Sequence, residues 1–143
     1  MKTYFRATDP YPLEASDWNK LHGFYDALAA GRLVSTRCDG CGHVAWPPRG
    51  FCPECASDRY TWVDLPAEGR IHGFTVQHAG LPAGFTGARV FAIVKVDTHR
   101  IFSVIIDADP STVSIGQRVT LAPIRVDDDP KGNARWLPAF RPA

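Results

Sequence analysis

The chain has 143 residues with 16 Lys/Arg against 15 Asp/Glu, a formal net charge of +1, 45% hydrophobic residues and 22% charged residues. That is the balance of one globular domain or two very small ones, and a near-neutral chain is a poor non-specific binder of nucleic acid. No apolar run approaches the ~18 residues that a membrane span requires, and twelve prolines with twelve glycines favour short strands and turns over long helices.

In chain order, Met1 to Ala15 carries Tyr4, Phe5, Tyr11 and Leu13, too aromatic for a disordered tail. It is expected to pack on its own domain or to lie across a partner. It lacks the long apolar core and small-residue cleavage site of a signal peptide, so the expected compartment is the cytoplasm. Asp17 to Ala30 reads as a helix, capped by Ser16 or Asp17 and ended by Gly31. Trp18, Leu21, Phe24, Tyr25 and Leu28 make one apolar stripe, and Gly23 weakens the helix slightly. The stripe must be covered, either by the chain's own ribbon and barrel or by a partner.

Four cysteines follow, and the chain has no others: Cys38 and Cys41, then Cys52 and Cys55. Each Cys-x-x-Cys can wrap two sulfurs around one ion, and two of them supply a closed tetrahedral thiolate shell. Asp39, Gly40, Gly42, Pro53 and Glu54 provide the turns that such knuckles need. Zinc is the expected ion. A rubredoxin-type iron site uses the same ligands, and disulfides use the same residues. Four protein ligands leave no open position for water or substrate, so the metal is expected to be structural. They also leave no cysteine as a nucleophile. Four thiolates and one Zn²⁺ would bring the formal charge to −1.

Leu33 to Arg37, Val44 to Trp46 and Tyr60 to Leu65 read as the three strands of a zinc ribbon, with Pro47-Pro48 stopping the second. Arg37, Arg49 and Arg59 are expected to offset the charge of the thiolate site. His43 could serve as a ligand but is expected to hydrogen-bond nearby. From Gly69 the pattern is all-β. Five strands are expected, at Ile71 to His78, Arg89 to Asp97, Ile101 to Asp107, Arg118 to Val126 and Arg135 to Phe140. Their number and spacing suit a small closed barrel of the OB type.

No catalytic constellation emerges. His72 and His78 are too far apart along one strand to share a metal, no Ser/His/Asp frame or phosphate loop is present, and Asp127-Asp128-Asp129 reads as a solvated loop. The uncharged loop Ala79 to Ala88, with Leu81 and Phe85, is either an ordinary barrel loop or a surface for a partner or an acyl chain. The fold class expected is mainly β, in three parts: an N-terminal extension and amphipathic helix over 1–32, a zinc ribbon over 33–66 and an OB-fold barrel over 67–143.

The helix, Arg37-Cys38-Asp39-Gly40-Cys41-Gly42, Pro47-Pro48-Arg49, Cys52-Pro53-Glu54-Cys55, and then Gly69, Gly73 and Thr75 at the entry to a barrel together resemble the acyl-CoA-associated family that joins a rubredoxin-like zinc ribbon to an OB-fold. The resemblance runs from about Trp18 onward. It implies an accessory subunit of a thiolase-fold acyl-CoA enzyme, with structural Zn²⁺ on Cys38, Cys41, Cys52 and Cys55, and with CoA or acyl-CoA in the complex. It further implies that the catalytic cysteine and histidines lie on the partner, with the small subunit of benzoylsuccinyl-CoA thiolase as one such relative. No CoA-binding residue carries over. Two other readings remain, a scaffold joining acyl-CoA enzymes and a nucleic-acid-binding ribbon/OB module. The near-neutral charge and the lack of a Lys/Arg stripe in the sequence count against the second.

Overall fold

The computed structural model describes residues 9–81 and 87–143. One short helix, α1 (His22–Ala29), precedes a two-stranded antiparallel ribbon of β1 (Val34–Cys38) and β2 (Tyr60–Asp64). The barrel strands are β3 (Glu68–Gln77), β4 (Arg89–Val96), β5 (His99–Ile105) and β6 (Arg118–Leu121). A hairpin of β7 (Ile124–Val126) and β8 (Arg135–Leu137) follows, and β9 (Ala139–Pro142) ends the chain. Five strands close in the order β3-β4-β5-β9-β6. The closure pairs β5 and β9 in parallel, Val104 with Ala139 and Ile105 with Phe140, while the remaining barrel pairs are antiparallel. This is the OB-type barrel expected from the strand pattern.

Helix α1 is shorter than the apolar stripe suggests. Neither Ser16 nor Asp17 caps it. Asn19 instead accepts the Leu21 N–H through Oδ1 at 2.8 Å and donates through Nδ2 to the Leu13 carbonyl at 3.2 Å. Trp18 therefore lies before the helix, with the Lys131 ammonium 4.6 Å from its ring centroid. The C-terminus is as expected: Gly31 takes φ +78°, and Arg32 N–H donates to the Ala27 carbonyl at 2.8 Å, the backbone closure of a Schellman stop. Gly23 has a packing reason. A Cβ there would sit 2.8 Å from Trp62 Nε1, so its absence leaves room for the Trp62 indole against the helix.

Three expected strands are altered. Val44 to Trp46 shrinks to a single bridge between Arg37 and Val44, with Ala45 N–H donating to the Thr36 carbonyl at 3.0 Å. Arg118 to Val126 divides into β6 and β7 around Pro123, and Arg135 to Phe140 divides into β8 and β9 around Pro138. A proline cannot donate to a ladder. The two prolines break the long hairpin at the same level, so its outer half folds out of the barrel.

The core is continuous across the parts. Phe24, Leu28, Leu33 and Val34 from the helix and ribbon join Ile71, Val94, Val96, Ile101, Val119 and Phe140 of the barrel in one buried cluster. Phe24 meets Trp46 edge-to-face at 5.8 Å. Residues 9–17 pack on their own chain. Asp9 accepts from Arg135 Nη1 at 2.8 Å, and Glu14 Oε1 accepts the Trp136 N–H at 2.7 Å. Arg135 is 2% exposed and also donates to the carbonyls of Asp127 and Asp128. Burial pushes the Glu14 carboxyl up to about 7, and its buried Oε2 has no hydrogen-bond partner among the described residues. Among the described residues, no helix is long and apolar enough to cross a membrane.

Candidate metal centre and outer face

The four cysteine sulfurs lie within 4.8 Å of one another. The two cross-knuckle pairs, Cys38 with Cys55 and Cys41 with Cys52, are each 3.5 Å apart. A tetrahedron of sulfurs at ~2.3 Å from zinc has edges of about 3.8 Å, so the cluster fits a four-thiolate ion. A disulfide needs about 2.05 Å, and the cysteines are free.

The two knuckles repeat one backbone pattern. Cys38 N–H donates to the His43 carbonyl at 2.9 Å, and Cys52 N–H donates to the Ser57 carbonyl at 2.8 Å. Gly42 N–H reaches the Cys38 carbonyl at 2.9 Å, and Ala56 N–H reaches the Cys52 carbonyl at 2.9 Å. Gly40 and Glu54 aim their N–H groups at the sulfurs of Cys38 and Cys52, at 3.3 and 3.4 Å. The residue after each pair is left-handed: Gly42 at φ +79° and Ala56 at φ +63°. These amides favour thiolates. The Cys41 N–H is the foremost influence lowering the Cys38 thiol to about 6. Cys41 rises to about 12: the His43 amide acts downward, but the neighbouring thiols, Cys52 foremost, act upward. Sulfurs held this close need a shared cation to ionise together.

The ribbon braces the site from behind. Asp39 Oδ1 accepts from Thr61 Oγ1 at 2.7 Å, Thr36 Oγ1 accepts from Arg49 N–H at 2.9 Å, and Ser35 Oγ donates to the Ala45 carbonyl. Arg49, Arg59 and His43 share a crevice with Cys38 and Cys52, in keeping with a charge-offsetting role for the arginines, whereas Arg37 is exposed on β1. His43 is outside the sulfur cluster and holds it through its carbonyl. Of the uncharged loop, Leu81 packs against a second small cluster with Phe91, Val104 and Ala139. Phe85 lies outside the described residues.

One feature is invisible in the linear sequence. Arg70 on β3 pairs with Lys95 on β4 and with Arg118 on β6, and Lys95 pairs with Arg100 on β5. The expected lack of a Lys/Arg stripe is therefore corrected: four cations from four strands stand in one row across the barrel. Beside Arg100, a groove of about 600 Å³ runs between Phe102 and Ile93 on one wall and Trp46, Pro47 and Phe24 on the other.

Fold and site together define a zinc-ribbon/OB-fold protein with a four-cysteine metal site. Residues 26–61 match the rubredoxin-like zinc ribbon domain of ChsH2, and residues 62–122 match its C-terminal OB-fold domain. A DUF35 domain-containing scaffold protein of Methanocaldococcus jannaschii is 31% identical over 68% of this chain and 71% of its own. A protein of the same description from Methanothermobacter thermautotrophicus is 33% identical, covering 62% and 69%. The chain belongs to the DUF35 family. Among solved structures, the Ltp2-ChsH2(DUF35) aldolase superposes with a TM-score of 0.73 at 28% identity, covering 87% of this chain and 95% of that one. A DUF35 protein of Sulfolobus solfataricus shares the fold, with a TM-score of 0.56 at 13% identity over 85% and 83%.

Proposed function

We propose that this chain is a non-catalytic, zinc-binding subunit of a thiolase-fold acyl-CoA enzyme. The observation that carries the reading is the gathering of all four cysteines into one closed site. Zinc held there by Cys38, Cys41, Cys52 and Cys55 would fix the two knuckles and leave no coordination position for chemistry. A reaction that needs a thiol nucleophile must then draw it from another chain. The likeness to the Ltp2-ChsH2(DUF35) aldolase, in which a DUF35 chain accompanies an enzyme, supports the same arrangement. In this reading the partner binds the acyl group covalently, CoA carries the other fragment, and this chain stabilises the complex and helps wall the acyl-CoA channel. Benzoylsuccinyl-CoA thiolase is the particular enzyme toward which the ribbon-plus-barrel layout leans. The expected compartment for such a complex is the cytoplasm.

A second reading has its own support. The relatives of Methanocaldococcus jannaschii and Methanothermobacter thermautotrophicus are described as scaffold proteins, so the chain would join two acyl-CoA enzymes. Affinity purification from the native source, with peptide mass analysis and metal determination, separates the readings. One thiolase-fold chain in near-equal amount with about one zinc supports the subunit. Two different acyl-CoA enzymes support the scaffold. Recovery of no acyl-CoA enzyme overturns both.

A further inference from the structure

We infer that the cation row on the barrel, with the apolar pair beside it, is a docking surface for an acidic face of a protein partner. The inference rests on the subunit reading and adds where the partner sits.

The strand register places the row. Arg118, Arg70, Lys95 and Arg100 are directly opposed from strand to strand, in the order β6, β3, β4, β5. Opposed residues share a face, and neighbours along a strand take the other. Ile71, Val94, Val96, Ile101 and Val119 are no more than 1% exposed and point into the barrel, so the four cations point out, and all four are exposed. Three inter-strand steps make a row about 14 Å long.

Such a row is unfavourable for the chain alone, because like charges directly opposite one another repel. One end is relieved: Arg118 pairs with Glu68 at 3.0 Å, and Arg70 Nη1 donates to the Gly116 carbonyl at 3.0 Å. Among the described residues, Lys95 and Arg100 form no ion pair, and Asp97 at the tip of their own hairpin makes none with them. The next pair on the same face is Ile93 with Phe102. Phe102 is 65% exposed and stacks on Phe91, centroids 5.9 Å apart.

The shape selects the class of partner. Small-ligand sites are concave, whereas Arg118, Arg70 and Lys95 stand on the convex outside of the closed barrel, and only the Arg100 and Phe102 end of the surface borders the groove. Single-stranded nucleic acid is held by several exposed stacking rings along a groove; among the described residues Phe102 is the exposed ring beside the row, and the Trp46 and Tyr25 rings of the adjoining groove are half-buried. Arginine and aromatic residues around a partly apolar centre are the composition of protein docking anchors. The complementary surface carries carboxylates opposite Lys95 and Arg100 and an apolar side chain against Phe102.

The test uses the full chain and the thiolase-fold protein that co-purifies with it, identified by peptide mass and purified. The wild-type affinity should weaken as salt rises from 50 to 500 mM. The Lys95→Glu/Arg100→Glu double variant should bind at least a hundred-fold more weakly. Lys95→Glu alone puts a carboxylate between Arg70 and Arg100, so the isolated chain should melt no lower than wild type while binding at least ten-fold more weakly. A merely structural role would not separate the two readouts in this way. Phe102→Ser should weaken binding, and Phe51→Ser, 69% exposed on the second knuckle, should not. A partner that binds Lys95→Glu as tightly as wild type overturns the docking surface and leaves the subunit reading standing. Failure of wild type to recover any thiolase-fold chain overturns both. If free CoA, adenosine 3′,5′-bisphosphate or a single-stranded oligonucleotide binds and loses affinity in the double variant while the protein partner does not, the row is a phosphate site and the inference fails.

Discussion

The knuckle end of the ribbon and the barrel hold their shapes by different means. Beyond Val34, the buried apolar residues of the ribbon are Cys38, Ala45 and Cys52, and the order there comes from four sulfurs and the amides aimed at them. The barrel buries Val90, Ala92, Val94, Val96, Ile101, Val119 and Phe140, and its hydrogen-bond ladder closes on itself. Between them lies a seam of Phe24, Leu28, Leu33 and Val34 that belongs to the same buried cluster as the barrel. Stability in this chain thus passes from metal-borne to core-borne across that seam. Perturbations at the two ends should be separable if the seam is the weaker link, and inseparable if it is the stronger.

Metal removal probes one end and carries the largest effect. A structural zinc supplies on the order of 10 kcal/mol of folding free energy. Chelation, or Cys38→Ser with Cys52→Ser, should therefore disorder residues of both knuckles while leaving the barrel amides dispersed in a heteronuclear NMR spectrum. Loss of the barrel resonances as well would mean that the seam makes one cooperative unit. The same preparation decides between metals, since an iron-thiolate site absorbs strongly in the visible and a zinc site does not.

The opposite end is probed at Phe140. This side chain is 0% exposed, on the strand that closes the barrel. Phe140→Ala should cost about 3–5 kcal/mol through lost burial and a residual cavity. The melting temperature should fall by many degrees, while the zinc affinity at low temperature stays near that of wild type. A matching loss of zinc affinity would show the coupling that the first experiment could have revealed from the other side.

The same contrast explains what the sequence made readable. The knuckles were legible because their chemistry is local: two Cys-x-x-Cys pairs and their turn formers name the site without any tertiary information. The barrel was legible as strands because alternation is also local, yet its ends were not. Pro123 and Pro138 each fall inside an apparently continuous pattern, and only their position at one level of a paired hairpin shows that the hairpin leaves the barrel there. Helix α1 was overextended because Trp18 continues the apolar stripe by spacing, although Asn19 ends the preceding turn by bonding both Leu21 and Leu13. The cation row could not be read at all. Arg70, Lys95, Arg100 and Arg118 are brought together by register, and a composition of +1 hides a charge concentrated on one face. The nearest warning was the hairpin itself, where Lys95 and Arg100 flank a short turn at Asp97 and Thr98.

The smallest expected effect sharpens the comparison from within the ribbon. The two knuckles share their hydrogen bonds, but one places Gly42 and the other Ala56 in the left-handed region, at φ +79° and +63°. An L-residue with a Cβ pays about 1–2 kcal/mol there, and glycine gives back somewhat less because it is freer when unfolded. Nothing lies within 4 Å of a Cβ built on Gly42, so Gly42→Ala should cost about 1 kcal/mol through backbone strain alone, and Ala56→Gly should recover a similar or smaller amount. Chelator competition at fixed pH reads both changes, as zinc held several-fold more weakly in the first and slightly more tightly in the second. The double swap should return close to wild type if the knuckles are equivalent halves of one site. If Ala56→Gly instead loosens the metal, the second knuckle depends on a rigid Ala56 between Cys55 and Ser57, and the two halves are not interchangeable despite their common backbone.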